Sequence, residues 1–198
     1  LVYRQLKPIH WSVGCETALA DAELEYKDIA SPSIMVNFPL EADSVERLRQ
    51  RGVMPDSEAA VCVMIWTTTP WTLAANLAVA VHPSLDYVTM TYEKDGRRFC
   101  SLVCAERVEA VAAMAGLQAG QYQRSQPIRG QDLAGLRYRH PFVEGNPTDH
   151  DAWFVIPAEF VTTEDGTGLV HVAPGHGVED YVAGQQNSLC LLYTSPSP

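Results

Sequence analysis

Three adjacent threonines, Thr67, Thr68 and Thr69, close an apolar run and are followed at once by Pro70 and Trp71 in VCVMIWTTTPWTLAAN (61–76). A core has no use for three hydroxyls in a row, and a turn would ordinarily be written with Gly, Asn or Asp. Pro70 has no N–H to give a ladder, so the strand is expected to stop there. The hydroxyls are then left at a strand end, facing two ways, each able to donate and to accept a hydrogen bond. Such a cluster suits ribose hydroxyls, an ester carbonyl or a water. The plain alternative is a β-prone run that finishes a strand.

A second constellation lies in DGTGLVHVAPGHGVEDY (165–181). Its glycines, Gly166, Gly168, Gly175 and Gly177, allow tight turns or a close approach of backbone to a ligand. His171 is expected to point from a strand. Asp180 follows nine positions later, early in a predicted helix. An ionised carboxylate only accepts hydrogen bonds, so it suits an ammonium and gains from a helix N-terminus. The plain alternatives are a strand histidine satisfied by its neighbours and an ordinary first-turn carboxylate. His171 and His176 lack a third ligand, so no metal site is expected. Neither GxGxxG nor GK[ST] occurs in this block, so it is not a phosphate loop. No Ser-His-Asp or Cys-His arrangement stands out, which leaves water as the nucleophile of any hydrolysis here.

The elements that must hold these groups are mostly short strands. IMVNFPL (34–40), LAVAVHP (77–83) and YVTMTYE (87–93) read as strands, and AAVCVMIW (59–66) as a strand covered on both faces. KDG (94–96) turns into RRFCSLVC as a hairpin. QYQRSQPI, LRYRHPF, AWFVIPA and TGLVHVAP (167–174) are further short strands. Helices are expected over 44–52, stopped by Gly52, over 105–116, stopped by Gly116, and over 176–186. Many strands with few helices give a β-rich α/β domain, barrel-like in outline.

The bulk numbers agree with one medium domain, or one domain and a piece of another: 198 residues, 46% hydrophobic and 19% charged. No apolar run approaches the roughly 20 residues that cross a bilayer. The first residues lack a secretory pattern and an initiator Met, as expected of a piece of a longer chain. A net charge of −10 argues against a broad nucleic-acid surface but leaves room for a pocket that grips one single-stranded end. The five cysteines do not form paired CxxC units, so no structural zinc is expected. Cys100 and Cys104 read as buried apolar fillers, and the odd, scattered set fits a reducing cytoplasm. The tail NSLCLLYTSPSP changes character abruptly. Residues 188–198 are expected to be non-native and to lack a structural partner.

WTTTPWTLAANLAVAVHP, DGTGLVHVAPGHGVEDYVAGQQ and the opening LKPIHWSVGCETALADAELEYKD together resemble the editing (CP1) domain inserted in isoleucyl-tRNA synthetases. The resemblance covers about residues 1–187. Valyl and leucyl relatives usually carry TTRPET or TTRPDT where this chain has TTTPWT. The implied fold is an α/β, β-rich, barrel-like domain of class I synthetases. Residues 1–30 would lead in from a Rossmann-type catalytic domain, and residues 31–187 would form the editing domain. The implied activity is proofreading: hydrolysis, by a positioned water, of valine esterified to tRNA(Ile). Valine and isoleucine differ by one methylene, which contributes only about 1–3 kcal/mol in a pocket, and isoleucyl synthetases are themselves the standard instance of that limit.

The resemblance also implies roles. Thr67, Thr68 and Thr69 would surround the terminal ribose and the water. Trp71 would wall the pocket, and Asn76 would contact ribose or backbone. His171 would exclude the larger side chain, and Asp180 would anchor the α-ammonium. The expected partners are the CCA end of valine-charged tRNA(Ile) and the remaining domains of the parent enzyme, in the cytoplasm and without a membrane. No cofactor is expected for editing. ATP and magnesium belong to the parent's aminoacylation site, whose HIGH-type and KMSKS-type signatures are absent from this sequence. The alternatives are a non-catalytic insertion that only binds the CCA end or serves as structure, and a valyl- or leucyl-type editing domain.

Overall fold

The computed structural model describes residues 8–28, 30–53, 59–145 and 151–190. A hairpin, β1 (Trp11–Ser12) with β2 (Thr17–Ala18), opens the chain on the surface. The main sheet has the order β3–β4–β7–β6–β8, with β9 also on β6. Its strands are β3 (Ile34–Pro39), β4 (Ala60–Thr67), β6 (Asp86–Lys94), β7 (Arg97–Cys104), β8 (Tyr122–Arg124) and β9 (Ile128–Arg129). β4 runs parallel to β7 and the other pairings are antiparallel. A smaller sheet has β5 (Ala78–Val81) at its centre, parallel to β10 (Phe154–Pro157) and antiparallel to β11 (Leu169–Val172).

The period-two alternation of the strands sorts their side chains into layers. Val63, Ile65 and Leu102 from the large sheet meet Val79, Val81, Val155 and Leu169 from the small one in a shared core. On the outer face of the large sheet, Met64, Val88, Met90 and Val103 pack against α2 (Val108–Met114). On the outer face of the small sheet, Ala78, Ala80, Ile156 and Val172 pack with Ala183 of α3 (Val178–Gln186). β4 is therefore buried on both sides, as its unbroken apolar run requires. α1 (Ala42–Gln50) ends in Gly52 at φ +70°, and the turn after α2 uses Gly116 at φ +77°. Among the described residues no helix is long and apolar enough to cross a membrane.

The two sheets join at both flanks, which gives the barrel-like outline. On one side Leu40 bridges to Tyr138 and Arg137 to Phe154. On the other, Cys104 N–H donates to Thr167 O at 2.9 Å. LRYRHPF was expected as a strand and forms only these isolated bridges. Its groups are shared between two neighbours: Arg139 N–H bonds Pro39 O, while Tyr138 N–H bonds Trp153 O. Arg137 N–H goes to Ser44 Oγ instead. QYQRSQPI splits into β8 and β9 because Pro127 cannot donate. The expected helix over 105–116 begins as a 3-10 turn (Ala105–Arg107) before α2.

The tail reading needs correction at its start. Leu189 N–H donates to Gly184 O at 2.8 Å, and the Leu189 side chain packs with Ala183 and Ile156. That bond closes the last turn of α3, so Leu189 belongs to the folded unit. Residues 191–198 lie outside the described residues. Cys62, Cys100 and Cys104 are buried thiols. Burial, with Cys100 nearby, pushes Cys62 up to about 12.

Gly168 shows how closely the sheets approach. It sits at φ +75°, and a Cβ there would lie 2.3 Å from Cys104 Cβ. Gly52 has a similar φ with open space around it. Gly52→Ala should cost about 1–2 kcal/mol, the usual left-handed penalty. Gly168→Ala should cost more than about 4 kcal/mol, in the range reserved for steric failure in a core. Urea unfolding of the two variants beside wild type measures both.

Candidate functional site

β4 ends where Pro70 begins a 3-10 turn (Pro70–Ala75), so the threonines fall at a strand end as expected. They do not act alike. Thr67 is buried, and its Oγ1 accepts from Thr69 N–H at 3.0 Å, which folds the chain back on itself. Thr67 Oγ1 also lies 3.2 Å from Thr69 Oγ1, which is 3.4 Å from Thr72 Oγ1. Thr72 Oγ1 donates to Thr69 O at 2.8 Å and lies 3.0 Å from His171 Nε2. A chain of hydroxyls therefore runs from β4 across the turn to β11. Thr68 faces out of this chain, and its carbonyl accepts from Ser31 Oγ at 2.9 Å. Trp71 is 64% exposed beside the hydroxyls.

Alternation along β11 places Leu169 and His171 on one face and Val170 and Val172 on the other. Leu169 enters the core between the sheets, so His171 is turned inward and is only 7% exposed. Burial, with His176 and His140 nearby, pushes its pKa from the usual 6.5 down to about 4. The ring is neutral at physiological pH. Asp180 sits in the first turn of α3, where its Oδ2 accepts from Ala173 N–H at 2.9 Å. This bond ties the helix start to the residue two beyond His171. Burial raises the Asp180 pKa, opposed by the Ala173 hydrogen bond; Glu179 adds to the rise and His176 opposes it. His176 is thus an electrostatic neighbour of both His171 and Asp180.

Asp180 lines a cleft of about 180 Å³ with Trp66, Phe160, Thr162, Asp165 and Thr167. That is small beside the roughly 300–1,000 Å³ of pockets for larger ligands. Considerably larger clefts lie elsewhere, of about 660 Å³ between the β1–β2 hairpin and α3 and of about 400 Å³ beside the β6–β7 hairpin. Neither is lined by the threonines, His171 or Asp180. The smaller cleft takes in Asp180 but is not lined by Thr67, Thr68, Thr69, Thr72 or His171, so the structure does not bring the hydroxyl chain and the carboxylate into one described cleft. Among the described residues no three His, Cys, Asp or Glu are grouped to hold a metal ion.

Asn76, expected to contact ribose or backbone, lies beneath the turn. It is 1% exposed and fully engaged: Nδ2 donates to Ala78 O at 2.7 Å and Oδ1 accepts from Tyr138 OH at 2.6 Å. Its backbone oxygen accepts from Trp153 Nε1. In this structure Asn76 is a clamp beneath the turn. His140, missed in the sequence, does the same from the other side. Its Nδ1 accepts from the N–H groups of Phe142 and Val143, so Nε2 carries the proton and donates to Leu73 O at 2.8 Å. Thr72 and Trp66 were also missed. Both flank the threonines that drew attention, and period-two spacing from Met64 put Trp66 on the outer side of β4.

With this geometry in place, comparison with known proteins is direct. Residues 1–167 match the family of class I tRNA synthetases (I, L, M and V), and the chain belongs to that family. Within it, the chain is similar to isoleucine–tRNA ligases. It is 42% identical to that of Geobacillus thermodenitrificans over 97% of this chain and 18% of the relative. It is 44% identical to that of Prochlorococcus marinus over 96% of this chain and 20% of the relative. The chain spans about a fifth of the length of the curated relatives it matches. Its fold is that of synthetase editing domains. The GlLeuRS-CP1 crystal structure matches with a TM-score of 0.61 at 19% identity, covering 78% of this chain and 59% of that one. The Plasmodium knowlesi cytosolic leucyl-tRNA synthetase editing domain matches with a TM-score of 0.60 at 14% identity, covering 79% and 62%.

Two consequences can be measured. His171 and His140 are both held below their usual pKa by burial. Unfolding lets them take up protons, so stability is full above about pH 6.5 and is lost as pH falls toward 4. His171 alone accounts for at most about 3 kcal/mol. Asp180, raised by burial, acts in the opposite sense, its contribution appearing as pH falls through its raised folded pKa. Urea midpoints from about pH 7 to 4.5 should fall, and His171→Gln should flatten the slope. Asn76→Ala should cost about 1–3 kcal/mol by leaving the Tyr138 hydroxyl unpaired, read as a lower unfolding midpoint.

Proposed function

We infer that this domain hydrolyses the ester of valine misattached to tRNA(Ile), using a positioned water and no metal or cofactor. The observation that carries the reading is the hydroxyl chain of Thr67, Thr69 and Thr72 meeting His171, from segments 99 residues apart, with Asp180 tied to the same strand. The isoleucine–tRNA ligase relatives and the editing-domain fold support it. In this reading the hydroxyls of Thr67 and Thr69 hold the ribose and the water, with Thr68 at the exposed edge. Asp180 takes the α-ammonium. Trp71, exposed beside the hydroxyls, packs on the incoming end of the RNA, where stacking is tolerant of sequence. His171 is a rigid, neutral wall that leaves room for valine and not for isoleucine.

Neutrality of His171 matters here, because a cationic ring would repel the ammonium that Asp180 holds. Much of the rate then comes from holding ester and water in one geometry. The acidic balance of the chain fits a domain that receives only the CCA end, while other parts of a parent synthetase grip the tRNA body in the cytoplasm. ATP and magnesium serve aminoacylation in that parent and take no part in this step.

Single-turnover deacylation of valyl-tRNA(Ile) and isoleucyl-tRNA(Ile), by the domain and by a full-length synthetase carrying it, tests the reading. Selective cleavage of the valyl ester is expected. Asp180→Asn keeps an acceptor for Ala173 N–H but removes the charge. It should slow cleavage about a hundredfold with the thermal midpoint little changed. Absence of cleavage in both proteins would leave a site that only binds the CCA end.

A further inference from the structure

The loop that leads from β10 to β11 supplies much of the cleft that takes in Asp180: Thr162, Asp165, Gly166 and Thr167 all line it. Thr162, Glu164 and Asp165 are exposed, so the first part of this loop has little apolar burial to fix its course. The hold comes from the 3-10 turn that follows β7. Arg107 Nε donates to Gly166 O at 3.0 Å, and Nη1 donates to Glu164 O at 3.1 Å and to Thr163 O at 3.3 Å. One planar guanidinium fork thus gathers the carbonyls of Thr163, Glu164 and Gly166. Cys104 N–H takes the next acceptor along, Thr167 O, at 2.9 Å. Arg107 does not itself line the cleft. Gly166 transmits its hold: at φ +69° its backbone lies on the Trp66 ring, and a Cβ there would come within 2.9 Å of Trp66 Cε3. Trp66 lines the cleft and directly precedes Thr67.

We propose that Arg107 is a positioning residue for the Asp180 cleft, clamping residues 162–167 against Trp66 so that the substrate meets a wall of fixed depth. The effect on cleavage rests on the editing reading above; the clamp does not. Its acceptors are neutral carbonyls, so the reach of the fork, rather than an ion pair, carries the hold. Lysine keeps the charge but offers one ammonium, which cannot span the same carbonyls. Methionine keeps most of the stem and loses every donor.

Those two substitutions, Arg107→Met and Arg107→Lys, test the role through amide hydrogen exchange and single-turnover deacylation, in the domain and in a full-length synthetase carrying it. The Cys104 and Leu169 amides report on the loop, because both donate to Thr167. In Arg107→Met they should exchange about tenfold or more faster, while Met90 in the middle of β6 keeps its wild-type rate. At saturating enzyme the valyl-ester rate should fall about tenfold or more. The enzyme concentration giving half that rate should stay unchanged, since the tRNA body is gripped elsewhere. Arg107→Lys should resemble Arg107→Met in both readouts. An arginine that only stabilises the fold would speed exchange at Met90 as much as at Cys104 and leave the saturated rate alone. That result overturns the proposal, as does wild-type exchange at Cys104 in Arg107→Met, a wild-type ester rate in that variant, or Arg107→Lys that matches wild type in both. Wild type that cleaves neither ester overturns the editing reading, and the exchange pattern still decides the clamp alone.

Discussion

Where β11 begins, the backbone at Gly168 lies against Cys104 so closely that no side chain fits between them. The Tyr87 hydroxyl spans the same seam, donating to Gly168 O at 2.9 Å and accepting from His82 N–H at 2.8 Å. This approach fixes the small sheet's position against the large one. Everything at the site inherits its placement from that distance. His171 stands three residues beyond Gly168, and Thr72 follows from the end of β4. Their 3.0 Å contact exists only if both strands are held at one depth. Gly166 repeats the device, since a Cβ there would collide with Trp66.

The site is built as a dry wall with a wet edge. Thr67, Thr72, Asn76 and His171 are buried, while Thr68, Thr69 and Trp71 reach solvent. The buried polar groups mostly satisfy one another, which keeps them still; a half-paired network would be costlier than an apolar filling. The 3-10 turn between them is clasped from below by Asn76 and His140, both fully bonded. Trp71 therefore stands out from a turn that is hydrogen-bonded from beneath.

Much of this was legible in the sequence. The double-sided burial of β4 followed from its unbroken apolar run. The strand end at Pro70 followed from a missing N–H, and the place of His171 on a strand from the apolar run around it, whereas its inward orientation came only with the fold. Asp180 followed from its place at a helix start. The internal partners of Asn76 could not be read, because Tyr138 and Trp153 lie more than 60 residues away and only the fold brings them beneath the turn. Thr72 escaped notice for a related reason: its hydroxyl meets His171 Nε2 across 99 residues of sequence, a contact that only the fold creates. LRYRHPF misled because its alternation is genuine, yet its hydrogen bonds are divided between two sheets. The tail reading failed at Leu189 because a composition shift says nothing of a helix that needs its last turn closed.

The order of strands along the chain also bears on how the domain is made. β5 is the central strand of the small sheet, yet both of its partners, β10 and β11, lie more than 70 residues downstream. On a ribosome the large sheet is complete while AVAV of β5 still waits for its neighbours. Such non-local pairing closes slowly, and an unpaired apolar strand is exposed to wrong partners meanwhile. Its alanines keep that exposure modest, since Ala78 and Ala80 alternate with Val79 and Val81. The same order makes the site the last thing to form. A chain that stopped before α3 would lack the Asp180 carboxylate that ties the helix start to Ala173, two residues beyond His171.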